Sequence, residues 1–173
     1  MQFIKWTSLI LIFLLVTLLG SIIAKKYKNR VKQLKELKVI LNIIETKIKF
    51  TQQPLTEIFK EIANSEKNNK SVNMIFKEAV KNMKEECFEQ VWNKSILSTK
   101  SKLDLTDEDI NIIEGMGKTL GTTDIDGQVK EIEIIKEFID SQIEKAEEER
   151  KKNEKMYKML GGIAGIGIVI ILT

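Results

Sequence analysis

The sequence has no histidine, one cysteine and one proline among its 173 residues. Without histidine the chain cannot build a Ser-His-Asp triad, a Cys-His pair, an HExxH zinc site or a histidine general base. The single cysteine, Cys87, excludes an internal disulfide and favours a reducing compartment. We therefore predict a protein that is not an enzyme, with no catalytic residue, no cofactor and no small-molecule substrate.

The composition is otherwise that of a helical protein, with 9 Gly and 6% aromatic residues beside abundant Lys, Glu, Ile and Leu. The formal net charge of +3 is too small to predict binding to nucleic acid. Basic residues are nevertheless concentrated beside two apolar stretches near the ends of the chain. We predict an all-α fold, an antiparallel helical bundle of about six helices in residues 28–158, flanked by membrane helices in residues 1–27 and 159–173.

The first apolar stretch, Trp6–Ala24, is uncharged and would be roughly 28 Å long as a helix, close to the hydrocarbon thickness of a bilayer. The alternative is a cleaved signal peptide. Against it, Lys5 provides only a thin basic region and Ser21–Ala24 is a poor cleavage site. We therefore predict an uncleaved membrane anchor.

A run of basic residues follows this stretch: Lys25, Lys26, Lys28, Arg30, Lys32, Lys35 and Lys38. The run could bind anionic lipids, or it could only determine topology. Positive charge beside a membrane span keeps that side cytoplasmic, and this run greatly outweighs Lys5. We favour the topological interpretation, which predicts a cytoplasmic main domain and an external N-terminus.

In the middle of the chain, apolar residues recur at spacings of three and four, which predicts amphipathic helices. The predicted helices are one from Val31 that stops before Pro54, then Pro54–Ser65, Ser71–Glu86, Phe88–Thr99 and Thr106–Gly121, with a loop at Glu66–Lys70. Thr106 precedes three acidic residues and so is predicted to be an N-cap. The same acids could suggest a metal site, but the cap accounts for them, and we predict no metal site.

The last predicted helix runs from Asp126 to about Lys158 and leads into the apolar stretch Met159–Thr173. That stretch would be roughly 22 Å long, which is short for a membrane span. It either thins the bilayer or enters it without crossing. Gly161 and Gly165 form a GxxxG pair suited to close packing against another membrane helix, unless they are incidental in an apolar tail.

Two motif-like stretches before this helix are incomplete. Gly117-Lys118-Thr119 looks like the end of a phosphate-binding loop, but Ile112 occupies the position of the required glycine and no strand precedes it. Residues 122–133 partly fit an EF-hand loop, but Thr122 occupies the position of the first aspartate ligand. We predict neither nucleotide nor calcium binding.

Several pieces of the chain, in order and spacing, carry a resemblance to one family. They are Gln33–Leu37, Lys49-Phe50 before Pro54-Leu55, Val91-Trp92, Gly117–Gly121 with Asp124 and Gln128, Lys155–Tyr157, Leu160-Gly161 and Ile168–Leu172. In these the chain resembles the stage III sporulation protein AB family of endospore-forming bacteria. The resemblance implies a cytoplasmic domain similar to the platform proteins of type II secretion systems (the F protein) and type IV pili. It also implies a place in the mother-cell membrane facing the forespore, with other sporulation channel subunits and a cytoplasmic secretion-type ATPase as partners.

We predict that the turn before the last helix contacts the partner, because loops carry recognition more often than helix faces do. The predicted contact residues are Gly117, Lys118, Thr119, Gly121, Asp124 and Gln128. A turn that only fits the backbone is the alternative. For the whole protein, the leading hypothesis is a membrane platform subunit. The alternatives are a self-associating coiled-coil scaffold without an ATPase partner and, more remotely, a membrane-bound enzyme or metal sensor.

Overall fold

A computed structural model describes residues 2–65, 71–83, 87–120 and 123–172. Within these residues there are six α-helices and no strand: α1 (Gln2–Thr46), α2 (Leu55–Asn64), α3 (Asn73–Asn82), α4 (Phe88–Thr99), α5 (Asp107–Thr119) and α6 (Ile125–Leu172). The predicted all-α helical fold is confirmed. The predicted loop at Glu66–Lys70 and the predicted end of the third helix at Glu86 lie outside the described residues.

The chain divides into two compact units. The terminal unit consists of Met1–Val31 and Lys145–Thr173, and the bundle unit consists of Lys32–Glu144. Helices α1 and α6 contribute residues to both units. This division follows contacts within the chain, so it does not test the predicted boundaries at residues 27 and 158, which concern the membrane and stay predictions.

Helices α2 to α5 of the bundle unit pack in chain order, each against the next. Their core is an aromatic cluster in which the ring of Phe59 lies 5.0 Å from that of Phe76 and 5.5 Å from that of Trp92, centroid to centroid. These edge-to-face and tilted arrangements are the ones that aromatic pairs prefer. All three rings are almost completely buried. The cluster is therefore the centre around which the short helices are arranged.

Ion pairs join α1 and α6 within the bundle unit. Lys38 Nζ lies 2.6 Å from Asp140 Oδ1, and Lys136 Nζ donates a hydrogen bond to Glu45 Oε2. Moving forward along α1 thus means moving backward along α6, so the two helices are antiparallel. The apolar stripe of α6 is buried in this unit at Val129, Ile132, Ile135 and Ile139.

Helix α1 ends in a π-helical turn, Lys47–Thr51, followed by Gln52 in the left-handed region with φ 49° and ψ 33°. Such a conformation costs about 1 kcal/mol or more for a residue other than glycine. A side-chain cluster stabilises it: Lys47 Nζ donates to Gln53 Oε1 at 3.1 Å and lies 2.6 Å from Glu61 Oε2. Hydrogen bonds from Lys47 and then from Gln53 hold the pKa of Glu61 below its usual range. The helix therefore stops before Pro54, as predicted.

Helix α5 begins with a capping box. Thr106 Oγ1 accepts a hydrogen bond from Asp109 N at 3.3 Å, and Thr106 N donates to Asp109 Oδ2 at 2.9 Å. The predicted N-cap is confirmed. Lys100 Nζ lies 2.6 Å from Asp107 Oδ1, and this hydrogen bond lowers the pKa of Asp107 and raises the pKa of Lys100. Asp107 and Asp109 therefore both have partners within the chain.

In the terminal unit, α1 and α6 are also antiparallel. The ring of Tyr27 stacks on that of Tyr157 with a centroid distance of 5.8 Å, and Arg30 donates to Glu149 Oε2 at 2.7 Å. Arg30 has a side chain that is only 6% exposed. On α1 the small residues Gly20 and Ala24 are buried, one helical turn apart. Of the described helices, α1 alone is long and apolar enough to cross a membrane.

Candidate partner-binding site

The predicted contact residues begin inside α5, where Gly117 is buried against Trp92. A Cβ atom at Gly117 would lie 2.7 Å from Cδ1 of Trp92, closer than real Cβ contacts permit. The indole Nε1 of Trp92 donates to the carbonyl oxygen of Ile113 at 2.8 Å, one turn earlier in α5. The ring is thus fixed across α5 over a residue without a side chain. Gly117 is a packing residue, so it offers no exposed side-chain contact to a partner.

Asp124 has a structural task that the sequence interpretation missed. Its Oδ1 accepts a hydrogen bond from Gly127 N at 2.9 Å, and its carbonyl oxygen accepts one from Gln128 N at 3.0 Å. This is the geometry of an N-cap at the start of α6. The signal was present, because an aspartate directly before a long apolar-periodic segment is typical of a helix start.

The carboxylate of Asp124 is exposed as well as capping, so it can still meet a partner. Gln128, also predicted to make contact, is half-buried and donates from Nε2 to the carbonyl oxygen of Thr123 at 2.8 Å. Its side-chain amide is therefore already used within the turn. Asp124 is the stronger of the two as a contact residue.

The remaining predicted contact residues fall near the end of α5. Lys118 is exposed on the last turn of that helix. Thr119 belongs to α5, but its side chain and all of Gly121 lie outside the described part of the structure. On the other side of the turn, Ile125 and Asp126 are exposed beside Asp124. The described surface of the turn therefore includes one cation, two carboxylates and one apolar side chain, and its charges are available for complementary pairing with a partner.

Gly161 and Gly165, predicted to pack against a membrane helix, both lie in α6. The surroundings of both glycines lie outside the described part of the structure, so their predicted role stays a prediction. On α1, the buried residues Gly20 and Ala24 form another pair of small residues at four-residue spacing, which the sequence interpretation missed.

Comparisons with known proteins agree on one family. The family model for stage III sporulation protein AB matches residues 5–173. Stage III sporulation protein AB of Bacillus subtilis (strain 168) is 26% identical to this chain over 170 residues, which cover 97% of this chain and 98% of that relative.

A solved structure of stage III sporulation protein AB is also similar, with a TM-score of 0.64, 21% identity, and coverage of 70% of this chain and 96% of the other. At that level of identity the likeness bears on the fold alone, and it supports the helical arrangement described above. The family model extends from the anchor region of α1 to the end of α6. The chain therefore belongs to the stage III sporulation protein AB family, whose proteins act in sporulation.

Proposed function

We propose that the protein is a non-enzymatic membrane platform subunit of the channel between mother cell and forespore. In this proposal it lies in the mother-cell membrane facing the forespore, with its bundle unit in the cytoplasm. Its partners are other channel subunits and a cytoplasmic secretion-type ATPase. We also propose that the bundle unit is similar to the platform proteins of type II secretion systems.

The observation that best supports the proposal is that α1 contains both an exposed apolar stretch and core residues of the bundle unit. The same helix supplies an apolar stretch, only 11% of which is buried, and core residues of the bundle unit such as Leu34 and Leu41. A soluble protein rarely leaves so much apolar surface exposed. Together with family membership, this supports a membrane protein that presents a folded helical domain to partners at the membrane.

We infer that the ATPase contacts the charged turn between α5 and α6. Its exposed residues include Lys118 and Asp124, which differ in charge and lie on opposite sides of the turn. Charge pairs across an interface determine specificity and association rate. Because Asp124 is also an N-cap, its contribution to binding must be separated from its contribution to folding. Asn caps a helix about as well as Asp but lacks the charge.

The test is co-purification from sporulating cells after gentle crosslinking, with mass spectrometry of the recovered proteins. Wild-type protein is expected to recover a secretion-type ATPase and other channel subunits. The double variant Lys118→Ala/Asp124→Asn is expected to lose most of the ATPase. Lys60→Ala, which removes an exposed charge from α2, is the matched control. Recovery of the protein alone, in the wild type as in the variants, contradicts the proposal.

The scaffold alternative needs the isoleucine stripe of α6 for dimerisation. Ile132, Ile135 and Ile139 of that stripe are buried within the bundle unit of a single chain. A dimer built on this stripe would have to open the bundle first. Light scattering separates the two hypotheses, because a compact monomeric bundle supports the platform and an elongated dimer supports the scaffold.

A further inference from the structure

The stack of Tyr27 on Tyr157 marks one level in the terminal unit at which the exposed surface of both helices changes. On α6, the exposed residues after Tyr157 are apolar, among them Met159, Leu160 and Ile163. On α1, the exposed residues up to Ile23 are also largely apolar, and the exposed lysines Lys25 and Lys26 follow within one turn of Tyr27. Tyrosine is enriched where a membrane meets water. The tyrosine pair is therefore placed as an interfacial belt would be.

A surface groove of ≈490 Å³ lies along α6 and extends across this level. It is lined by Arg150, Lys151, Glu154, Lys155 and Met159. The lining residues lie on three successive turns of one helix. Along α6 the cations of the groove come first, and the exposed thioether of Met159 follows at the end nearest the apolar stretch. The groove thus has a cationic part and an apolar part, as a binding site for an amphiphile requires.

The cations of the groove are incompletely neutralised by the protein. Arg150 Nε lies 3.9 Å from Glu154 Oε2, a long distance for an ion pair. Among the described residues, no carboxylate lies within ion-pair distance of Lys151 or Lys155, both of which are exposed. The groove therefore carries a net positive charge and attracts an anion.

We propose that this groove binds the phosphate of an anionic phospholipid. Lys151 and Lys155 contact the phosphodiester, and Met159 contacts the beginning of an acyl chain. Basic residues beside membrane helices on the cytoplasmic side recognise such headgroups. A lipid is preferred over soluble phosphate because apolar surface continues directly beyond the cations. The inference rests on the proposed membrane location of the terminal unit.

The test uses the full chain, purified in a neutral detergent and titrated with phosphatidylglycerol or with phosphatidylcholine of the same acyl chains, with native mass spectrometry as the readout. We expect phosphatidylglycerol to bind more tightly. Lys151→Gln/Lys155→Gln is expected to weaken phosphatidylglycerol binding roughly 25-fold, about fivefold for each cation removed. Glu154→Gln is expected to strengthen it, because this substitution removes the anion from the groove.

The matched control is Lys60→Gln/Lys77→Gln, which removes two exposed lysines from the bundle unit and is expected to leave lipid binding unchanged. Equal binding of the two lipids, or unchanged binding by Lys151→Gln/Lys155→Gln with unchanged helicity, overturns the inference. Displacement of the lipid by inorganic phosphate at equal concentration also overturns it, since it would make the groove a site for soluble phosphate. Recovery of the protein in the soluble fraction of cells would refute the membrane location instead, so the two failures are distinguishable.

Discussion

The terminal unit and the bundle unit use the same aliphatic residues in opposite ways. In the bundle unit, Leu34, Ile58 and Ile96 are fully buried against other helices. In the terminal unit, Leu14, Leu18 and Ile163 are more than half exposed. Burial of apolar surface drives folding in water, but hydrocarbon provides no such drive between helices. The difference teaches that only the bundle unit has the buried apolar core of a domain folded in water, which is consistent with the proposed membrane location of the terminal unit.

Particular lysines show a related contrast, although the terminal unit also has the Arg30–Glu149 pair and the bundle unit also has exposed lysines such as Lys60. In the bundle unit, Lys38 and Lys136 each have a carboxylate partner on the opposite helix. In the terminal unit, the exposed lysines Lys25, Lys26 and Lys151 have no carboxylate partner within the described chain. The first group fixes the register of two helices. The second group remains available to anions outside the protein, which is what a membrane surface supplies.

The largest expected effect lies in the core of the bundle unit. Trp92→Ala removes the ring that packs on Phe59 and Gly117 and deletes its hydrogen bond to Ile113. We expect a loss of about 3–5 kcal/mol in the free energy of unfolding. Chemical denaturation followed by circular dichroism measures it. Leu97→Ala, at a side chain that is 65% exposed, is the control and should change the stability little.

The next effect sharpens the comparison, because it places the same substitution at one exposed leucine in each unit, Leu15 (53% exposed) and Leu97 (65% exposed). Leu15→Arg puts a charge into the apolar stretch of α1, where insertion into a bilayer should become less favourable by about 2.5–3.5 kcal/mol. We expect loss of the protein from the membrane pellet after alkaline extraction. Leu97→Arg should stay in the pellet. Equal behaviour of the two variants would break the comparison.

A smaller effect is expected at the start of α6. Asp124→Ala deletes the cap on Gly127 N and should lower the free energy of unfolding by about 1 kcal/mol. Asp124→Asn should cost only a few tenths of that amount, because the amide oxygen still accepts the bond. Thermal denaturation of both variants measures the difference. If both variants lose the same stability, the carboxylate charge and not the cap is what stabilises α6.

The smallest expected effect is a pH dependence of the stability that the ion pair of Lys100 and Asp107 contributes at the start of α5. Because the pKa of Asp107 is lowered in the folded protein, its pair with Lys100 stabilises the fold above the unfolded pKa of about 3.9. This contribution is lost as the pH falls through the folded pKa. Wild type should therefore melt at a higher temperature than Lys100→Gln at pH 7. This difference in melting temperature should disappear at pH 2.

The matching change on the alkaline side follows from Lys100, whose pKa is raised. Its contribution is present below the unfolded pKa of about 10.4 and is lost as the pH rises through the folded value. Lys102→Gln is the control, since Lys102 is exposed in the same short turn as Lys100, and this variant should melt at the wild-type temperature at every pH. A difference in melting temperature between wild type and Lys100→Gln that persists at pH 2 would contradict this account.

Features determined by local sequence could be predicted. The capping box at Thr106 depends on residues three apart, and α4 has the predicted bounds Phe88–Thr99. The predicted stop of the helix before Pro54 is confirmed, although the π-helical turn and the left-handed Gln52 were not predicted. Gln52 is not a glycine, so nothing in its residue type indicates positive φ.

Features that depend on distant parts of the chain could not be predicted. The contact of Trp92 with Gly117 and the pair of Lys38 with Asp140 require the register of packed helices, which periodicity alone does not give. The same dependence on distant residues applies to Gly117 in the candidate site. Gly117 was predicted as a contact residue because it lies near a turn, whereas the ring from α4 buries it.

The central claim is that the terminal unit lies in a membrane and the bundle unit in the cytoplasm. Cys87 tests it directly, since it is the single cysteine of the sequence and is exposed in the bundle unit. The full chain is produced in a non-sporulating bacterium and treated with a membrane-impermeant maleimide, with Cys87→Ser as the blank. We predict that the membrane-bound protein is labelled only after the cells are permeabilised. Labelling of Cys87 in intact cells would contradict the account.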